Sequence, residues 1–539
     1  MRLIHGIQFK RYKIEILSCI ALMLVAGFVS ISQIPKDEFI SNDGCSYAVT
    51  AKNLVGGKGY TYMGEPNVVF PPAYPLNIAL FYIISGNIEK SGYYASSFAW
   101  MMSIIPLFLI VLILFRKRLI PTILTMLLLA TNPQLNTLSR KVLAESTYML
   151  FLFWSVFFVV YFLIEKKSSK ISHYILIGVF LSLAYLARPE GFVFMLLLCG
   201  YIFYSNKKQL GKGLLLSLIV LISFFAVASP YVYYLQKHTG HLVLSGRVGI
   251  TLVGGERIGE KDYDIHYEKQ LYGITPDRTG VYMYRGMFFS MLDYLITNRA
   301  DMLGRLSFNL KEYFITLCKI LFPMGIIALL FTVFPKGDYN KKVSFFILLL
   351  ILPIFANAFF FLIERYLYQY LAFIYILCGL GLYKLGLLLK ERLKLKIVII
   401  TSIQLALILL LNLPVFSYYV HPVKPKERSW NEHKEMGIWM KENIPDIDNK
   451  VVVSRKAFVP FYSGAIYKAL PWVENRFELF HYLDNVKADY LIVDTRYFRF
   501  LRPRIEYLLD TSRHFEPIEP IKTIENKKHK VVLYKFKGY

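Results

Sequence analysis

Residues 14–34 read IEILSCIALMLVAGFVSISQI. This run of about 20 mostly uncharged residues is long enough to cross a ~30 Å hydrocarbon layer as a helix. Comparable runs recur at 213–235, 343–363 and 397–418. In lipid every backbone polar group must be satisfied internally, which leaves helices or closed barrels. These runs lack the alternation of barrel strands. Composition agrees: of 539 residues 55% are hydrophobic and 18% charged, too apolar a balance for a soluble globular chain of this size. The chain reads as a polytopic α-helical membrane protein.

Charge supplies the orientation. The formal net charge of +25 is concentrated in short loops between apolar runs: Arg116-Lys117-Arg118, Lys166-Lys167, Lys207-Lys208, Lys341-Lys342 and Lys390 through Lys396. Positive charge in short loops marks the cytoplasmic side, and little basic surface is left elsewhere for nucleic acid. Spans are predicted at 14–34, 93–114, 119–138, 144–164, 173–188, 191–205, 213–235, 313–334, 343–363, 367–384 and 397–418. With the amino terminus in the cytoplasm, these about eleven crossings of the cell (cytoplasmic or inner) membrane put every basic loop inside. Loops 35–92 and 236–312 and the tail then lie outside. The first run follows Lys10, Arg11 and Lys13, but no small-residue cleavage site closes it, so it reads as a retained helix.

Two parts follow from this division, a membrane module at 1–418 and an extracytoplasmic domain at 419–539. The tail mixes charged and aromatic residues. Strand-like runs at Val451–Val453, Tyr490–Val493 and 530–536 alternate with amphipathic helical patterns at 430–443 and 475–485, which predicts a small α/β domain. The five cysteines show no metal or disulfide spacing and read as core thiols.

The residues able to carry chemistry sit at the outer ends of the spans. Asp37, Glu38 and Asp43 fall within one short loop, and Asp43 precedes a helical pattern from Tyr47 to Val55 that is too short to span and is predicted to lie at the interface. Asp43 reads either as a helix N-cap or as a directed carboxylate able to act as a general base, and the two roles are compatible. Val69-Phe70-Pro71-Pro72-Ala73-Tyr74-Pro75 predicts a rigid extended loop. Glu145 opens a helix after Arg140-Lys141, where the helix dipole favours it. Arg188 and Glu190 interrupt an apolar region, where charge is costly and demands a partner or a function. Glu364-Arg365-Tyr366 begins a further helix at the same face.

As an ordered set, these motifs resemble membrane glycosyltransferases of the GT-C fold, the protein O-mannosyltransferase-like and polyprenyl-phosphate-sugar-dependent group. The matching residues are Asn42-Asp43-Gly44 with Tyr47 and Ala48, Asn53-Leu54, Gly57, Gly59-Tyr60, Pro71-Pro72-x-Tyr74-Pro75, Ala144-Glu145-Ser146-Thr147, Ala187-Arg188-Pro189-Glu190-Gly191 and Glu364-Arg365-Tyr366. The outward tail from Trp430 to Asp494 is similar to the soluble domains that close many such chains. The resemblance implies inverting transfer of a sugar from a polyprenyl-phosphate-linked donor to a glycan, lipid or protein acceptor outside the membrane. It implies Asp43 as the base and Arg188 and Arg365, with Arg247 a remoter candidate, as stabilisers of the leaving phosphate. Glu145, by the same resemblance, helps organise the sugar or a metal, and Tyr366, Asp37 and Glu38 are further candidate binding residues.

Two departures stand out. The lipid A aminoarabinose transferases carry a charged pair before the two prolines, where this chain has Val69-Phe70. The protein O-mannosyltransferases have an Asp-Glu pair in the first loop and a long domain between middle helices, which 236–312 is too short to supply. No cofactor is implied with certainty. The carboxylates suit Mg²⁺ or Mn²⁺, although no ligand spacing compels either. A transporter or flippase is the rival reading, and predicts ionisable groups near the bilayer centre and broken helices in two related halves.

Overall fold

The computed structural model describes residues 12–34, 39–166, 170–333, 340–360, 363–412, 430–526 and 528–538. Each apolar run folds as helix. Five helices are long and apolar enough to cross a membrane alone: Lys13–Ser32, Ile88–Leu114, Glu145–Glu165, Leu210–Thr239 and Leu371–Leu393. Shorter apolar helices, among them Leu119–Ala130, Ile171–Ala187, Gly191–Ser205 and Ile397–Leu410, pack with them. Residues 413–418 of the last predicted span lie outside the described residues.

Several boundaries differ from expectation, each for a local reason. The predicted span 119–138 is two helices, Leu119–Ala130 and Pro133–Ser139. Asn132 caps the second, accepting from the Leu135 N–H, and Pro133 takes the first turn, where its missing N–H costs nothing. The predicted span 313–334 is a pair, Arg299–Leu321 and Gly325–Thr332, bent by 102° around Pro323. The stretch predicted as a rigid extended loop instead opens a helix. Pro72 is the N-cap of Ala73–Ser85, and Pro75 falls within the first turn, where backbone N–H groups have no intrahelical partner.

The two ends of the bundle differ in chemistry. At one end the basic loops meet: Lys342 Nζ donates to Glu165 at 2.9 Å and to the Ile113 carbonyl at 3.3 Å, and Arg118 donates to Tyr383. At the other end lie the helix Asn42–Val55, the hairpin of β1 (Thr61–Tyr62) and β2 (Glu65–Pro66), and the segment from Val248 to Arg285.

The C-terminal part is a five-stranded sheet of β3 (Val451–Ser454), β4 (Ile466–Ala469), β5 (Tyr490–Asp494), β6 (Ile518–Glu525) and β7 (Lys530–Phe536) in the order β4-β3-β5-β7-β6. β3 runs parallel to both β4 and β5, with Val451 opposite Ile466 and Val452 opposite Tyr490; β7 is antiparallel to β5 and β6. All five residues of β5 are buried, as expected of a strand covered on both faces. Helices Asn431–Asn443 and Arg476–Asn485 match the two amphipathic patterns. The sheet is held against the rest of the chain by a buried carboxylate: Glu268 accepts from Arg455 Nε at 2.9 Å and from Arg502 Nη1 at 2.8 Å. The Arg455 guanidinium lies 3.6 Å from the Tyr272 ring centroid.

Candidate active site

The helix Asn42–Val55 is capped by Ser41, whose hydroxyl accepts from the Gly44 N–H at 3.0 Å. Asp43 therefore does not serve as the cap. Ser41 has the extended backbone that a cap requires, and Asp43 falls in the first turn, where the dipole favours a carboxylate. Gly44 lets this turn approach the segment before Glu145: a Cβ there would meet Val142 O at 3.0 Å and Ile40 Cγ1 at 2.8 Å. The glycine after Asp43 thus brings two acidic positions of the sequence to one place.

Four of the predicted residues form a continuous ionic chain. Arg365 Nη2 donates to Asp43 Oδ2 at 2.6 Å, and Arg365 Nε lies 3.6 Å from Glu145 Oε1. Arg188 Nη1 reaches the same Glu145 oxygen at 2.6 Å. Arg188 also grips Glu190 with two nitrogens, at 2.6 and 3.3 Å. The tight turn that permits this depends on Gly191, where a Cβ would stand 2.4 Å from the Tyr185 backbone nitrogen. Glu145 is 1% exposed, and among the described residues its ion-pair partners are the two arginines. Tyr366 lies within reach of both, 4.8 Å from the Arg188 guanidinium and 5.6 Å from that of Arg365. Asp37 and Glu38 lie outside the described residues.

Arg247 joins the group through the Tyr366 hydroxyl at 3.4 Å and the Phe70 ring at 5.4 Å. The apolar residue before the prolines therefore supports a cation. Phe70 in turn packs edge-on against Tyr47, which meets Tyr74 in the same way. The C-terminal sheet reaches the site too: the Ala457 N–H donates to Asn42 Oδ1 at 3.1 Å, and Asn42 Nδ2 donates to the Tyr284 hydroxyl at 3.0 Å. Tyr284 and the Lys456–Ala457 segment were not singled out from sequence, and Asn42 entered only as the motif residue before Asp43. Their partners are hundreds of residues away, and only the position of Arg455-Lys456 directly after a strand is a local signal.

Electrostatics sets the resting state of the carboxylate. Burial alone would raise the Asp43 pKa, but Arg365, Arg247 and Lys456 overcome it and hold the group down at about 2. Burial would likewise raise Glu190, and Arg188 reverses it. Asp43 is thus ionised, with Oδ2 occupied by Arg365 and Oδ1 open among the described residues. The acids and bases gather at helix ends, away from the middle of the apolar spans. Among the described residues no three His, Cys, Asp or Glu side chains converge as metal ligands. The Arg365 guanidinium lies between Asp43 and Glu145.

Residues 69–234 match the profile of the family described as dolichyl-phosphate-mannose-protein mannosyltransferase. The fold is similar to that of ArnT from Cupriavidus metallidurans bound to undecaprenyl phosphate, with a TM-score of 0.58 and 12% identity over 96% of this chain and 97% of that one. The apo state of the same protein gives a TM-score of 0.57 and 11% identity over the same shares, 96% and 97%. The S. cerevisiae protein O-mannosyltransferase Pmt1–Pmt2 complex bound to the sugar donor matches more weakly, with a TM-score of 0.34 and 15% identity over 46% of this chain and 37% of that one. No curated protein matches by sequence. Across nearly its whole length this chain has the fold of the GT-C membrane glycosyltransferases.

Proposed function

We propose that this protein transfers a sugar, with inversion, from a polyprenyl-phosphate-linked donor to a hydroxyl acceptor at the outer face of the membrane. The observation that carries this reading is the chain Asp43–Arg365–Glu145–Arg188. It joins the ends of two membrane helices, at Glu145 and Arg188, to the two short helices that carry Asp43 and Arg365, where a lipid headgroup would lie.

The residues divide by task. Asp43 Oδ1 receives the proton of the acceptor hydroxyl while that oxygen bonds to the anomeric carbon from the side opposite the phosphate. The bond from the anomeric carbon to the phosphate oxygen breaks, and its electron pair leaves with the lipid monophosphate. The arginines stabilise that developing charge. A carboxylate held at about 2 is a weak base, so the donor phosphate has a second effect. By drawing on Arg365 it loosens the Asp43 pair and returns the carboxylate toward its ordinary basicity. Glu145, bridged to both arginines, keeps them aligned.

The test is transfer in vitro from a panel of polyprenyl-phosphate sugars, comparing the wild type with Asp43→Asn. A loss of roughly 100-fold or more in kcat is expected for removal of a general base. Undiminished transfer by the variant removes Asp43 from that role. Flux of lipid-linked substrate across vesicles with no transfer from any donor returns the reading to a flippase.

A further inference from the structure

We propose that Lys456, carried by the C-terminal sheet, is a phosphate-binding residue of the same site, so that the donor's phosphate is received jointly by the membrane helices and by the sheet. This rests on the polyprenyl-phosphate reading given above.

The first argument is topological. β3 is followed in the chain by β4 on one side of it and then by β5 on the other. In parallel α/β sheets such a reversal opens a crevice beyond the carboxyl ends of the strands, and ligands bind there. Arg455 and Lys456 follow β3 directly, and Asp494 and Tyr497 stand at the end of β5 and just beyond it. The crevice does not face open water. Ala457 is tied to Asn42 at 3.1 Å, next to Asp43, and Phe458 packs edge-on against Phe39 with ring centroids 4.3 Å apart. The place where an α/β sheet accepts a ligand is thereby set against the carboxylate end of the membrane helices.

The second argument is a charge account. Arg365 is paired with Asp43, Arg188 with Glu145 and Glu190, and Arg455 and Arg502 with Glu268. Of the three cations whose fields act on Asp43, the other two, Arg247 and Lys456, are half-buried and have no carboxylate within ion-pair distance among the described residues. Arg247 has only the Tyr366 hydroxyl and the Phe70 ring, and Lys456 has only the Tyr497 ring, 5.5 Å from Nζ. Cations taken out of water without a counter-charge are costly, and an arriving phosphate supplies that charge for both. Lys456 also sits in the fields of Arg455, Glu268, Asp43 and Asp494, and burial with Arg455 lowers its pKa to about 7. An anion bound beside it restores the ammonium. A lysine acts on phosphate as a point charge, so the role needs its charge and not its exact shape.

The experiment titrates undecaprenyl phosphate into the full chain in nanodiscs, with uncharged undecaprenol and inorganic phosphate in parallel. Lys456→Met is expected to weaken binding of undecaprenyl phosphate at least tenfold and to leave undecaprenol unchanged. Lys456→Arg is expected to stay within about threefold of wild type. Equal binding by Lys456→Met overturns the role of Lys456 and leaves the glycosyl-transfer reading intact. A loss in Lys456→Arg as large as in Lys456→Met, with both variants monodisperse, also overturns it, because charge then does not carry the effect. Displacement by equimolar inorganic phosphate overturns the lipid assignment. No preference of the wild type for undecaprenyl phosphate over undecaprenol overturns both readings together.

Discussion

The guanidinium of Arg365 stands between two carboxylates, with Nη2 2.6 Å from Asp43 Oδ2 and Nε 3.6 Å from Glu145 Oε1. A planar fork serves two acceptors in different directions, and a lysine ammonium does not reproduce it. Arg365→Ala is expected to lower transfer by roughly 100-fold or more, since under the proposed function it removes both the stabiliser of the leaving phosphate and the group that directs the base. Arg365→Lys should recover only a small part of that. Single-turnover rates with a saturating lipid-linked donor decide it, and near-wild-type activity in Arg365→Lys would falsify the bridging role.

Glu145 is fully enclosed and holds Arg188 at 2.6 Å. Removing one partner of a buried pair leaves an uncompensated charge, at a cost of roughly 3–5 kcal/mol. Glu145→Gln is expected to lower the melting temperature in detergent sharply. Adding Arg188→Met should cost less than the same change in wild type, because the charge of Glu145 is already gone and only Glu190 then loses its partner. A double variant less stable than the sum of the singles contradicts this pairing.

Two groups predict opposite responses to pH. Asp43 is depressed to about 2, so its contribution to stability is complete above the ordinary carboxyl range and is lost as pH falls from that range through about 2. Between pH 4 and pH 8 the Asp43–Arg365 pair should not titrate. His433 is buried between Glu432 at 3.3 Å and Asp494 at 3.6 Å. Burial would lower it, but the two carboxylates win and raise its pKa. Its contribution is therefore complete below the ordinary histidine range and is lost as pH rises through the raised value. Hydrogen exchange in β3 and β5 should quicken with rising pH in wild type beyond its chemical trend, and His433→Gln should abolish the excess.

Glu268 is shared by Arg455 and Arg502, so it clamps the C-terminal sheet to the segment before the helix Arg299–Leu321. Glu268→Gln strands two buried guanidinium groups and should release the sheet. Limited proteolysis of the C-terminal sheet is expected to proceed faster in this variant, while the melting of the membrane helices changes little. An unchanged cleavage rate would mean that the apolar contacts hold the sheet unaided.

Arg188 and Arg365 already supply positive charge beside Glu145 and Asp43, so transfer is proposed to proceed without a divalent cation. Activity should survive excess EDTA within about twofold, below the several kcal/mol that a metal contributes to stabilising transition-state charge. Restoration by Mg²⁺ or Mn²⁺ after a large EDTA loss contradicts it.

The helices were legible because length and apolarity alone decide them, and the charged helix ends were legible because ionised groups at membrane depth are too costly to be incidental. Which ends meet was not. Arg365 and Asp43 are 322 residues apart, and no local pattern encodes their pairing. The helix Ala73–Ser85 was hidden by its own prolines, which break most helices but are tolerated in a first turn. Asp43 was read as a possible cap because an Asp before a helical pattern commonly caps it, but Ser41, two residues earlier, has the same capping chemistry and takes the role. The arrival of Lys456 had a local sign, its place directly after a strand, but only the strand order shows that this strand borders the crevice.

The hydrogen bond from Ala457 to Asn42 spans 415 residues, and this distance along the chain also orders events in time. During synthesis Asp43 is made long before the segment that closes over it, and the intervening loop carries a large closure entropy until the helices between have assembled. Completion of the carboxylate end therefore waits on the docking of the sheet. A chain whose membrane helices have inserted lacks this contact until the sheet has folded, and under the proposed function it would transfer no sugar before then.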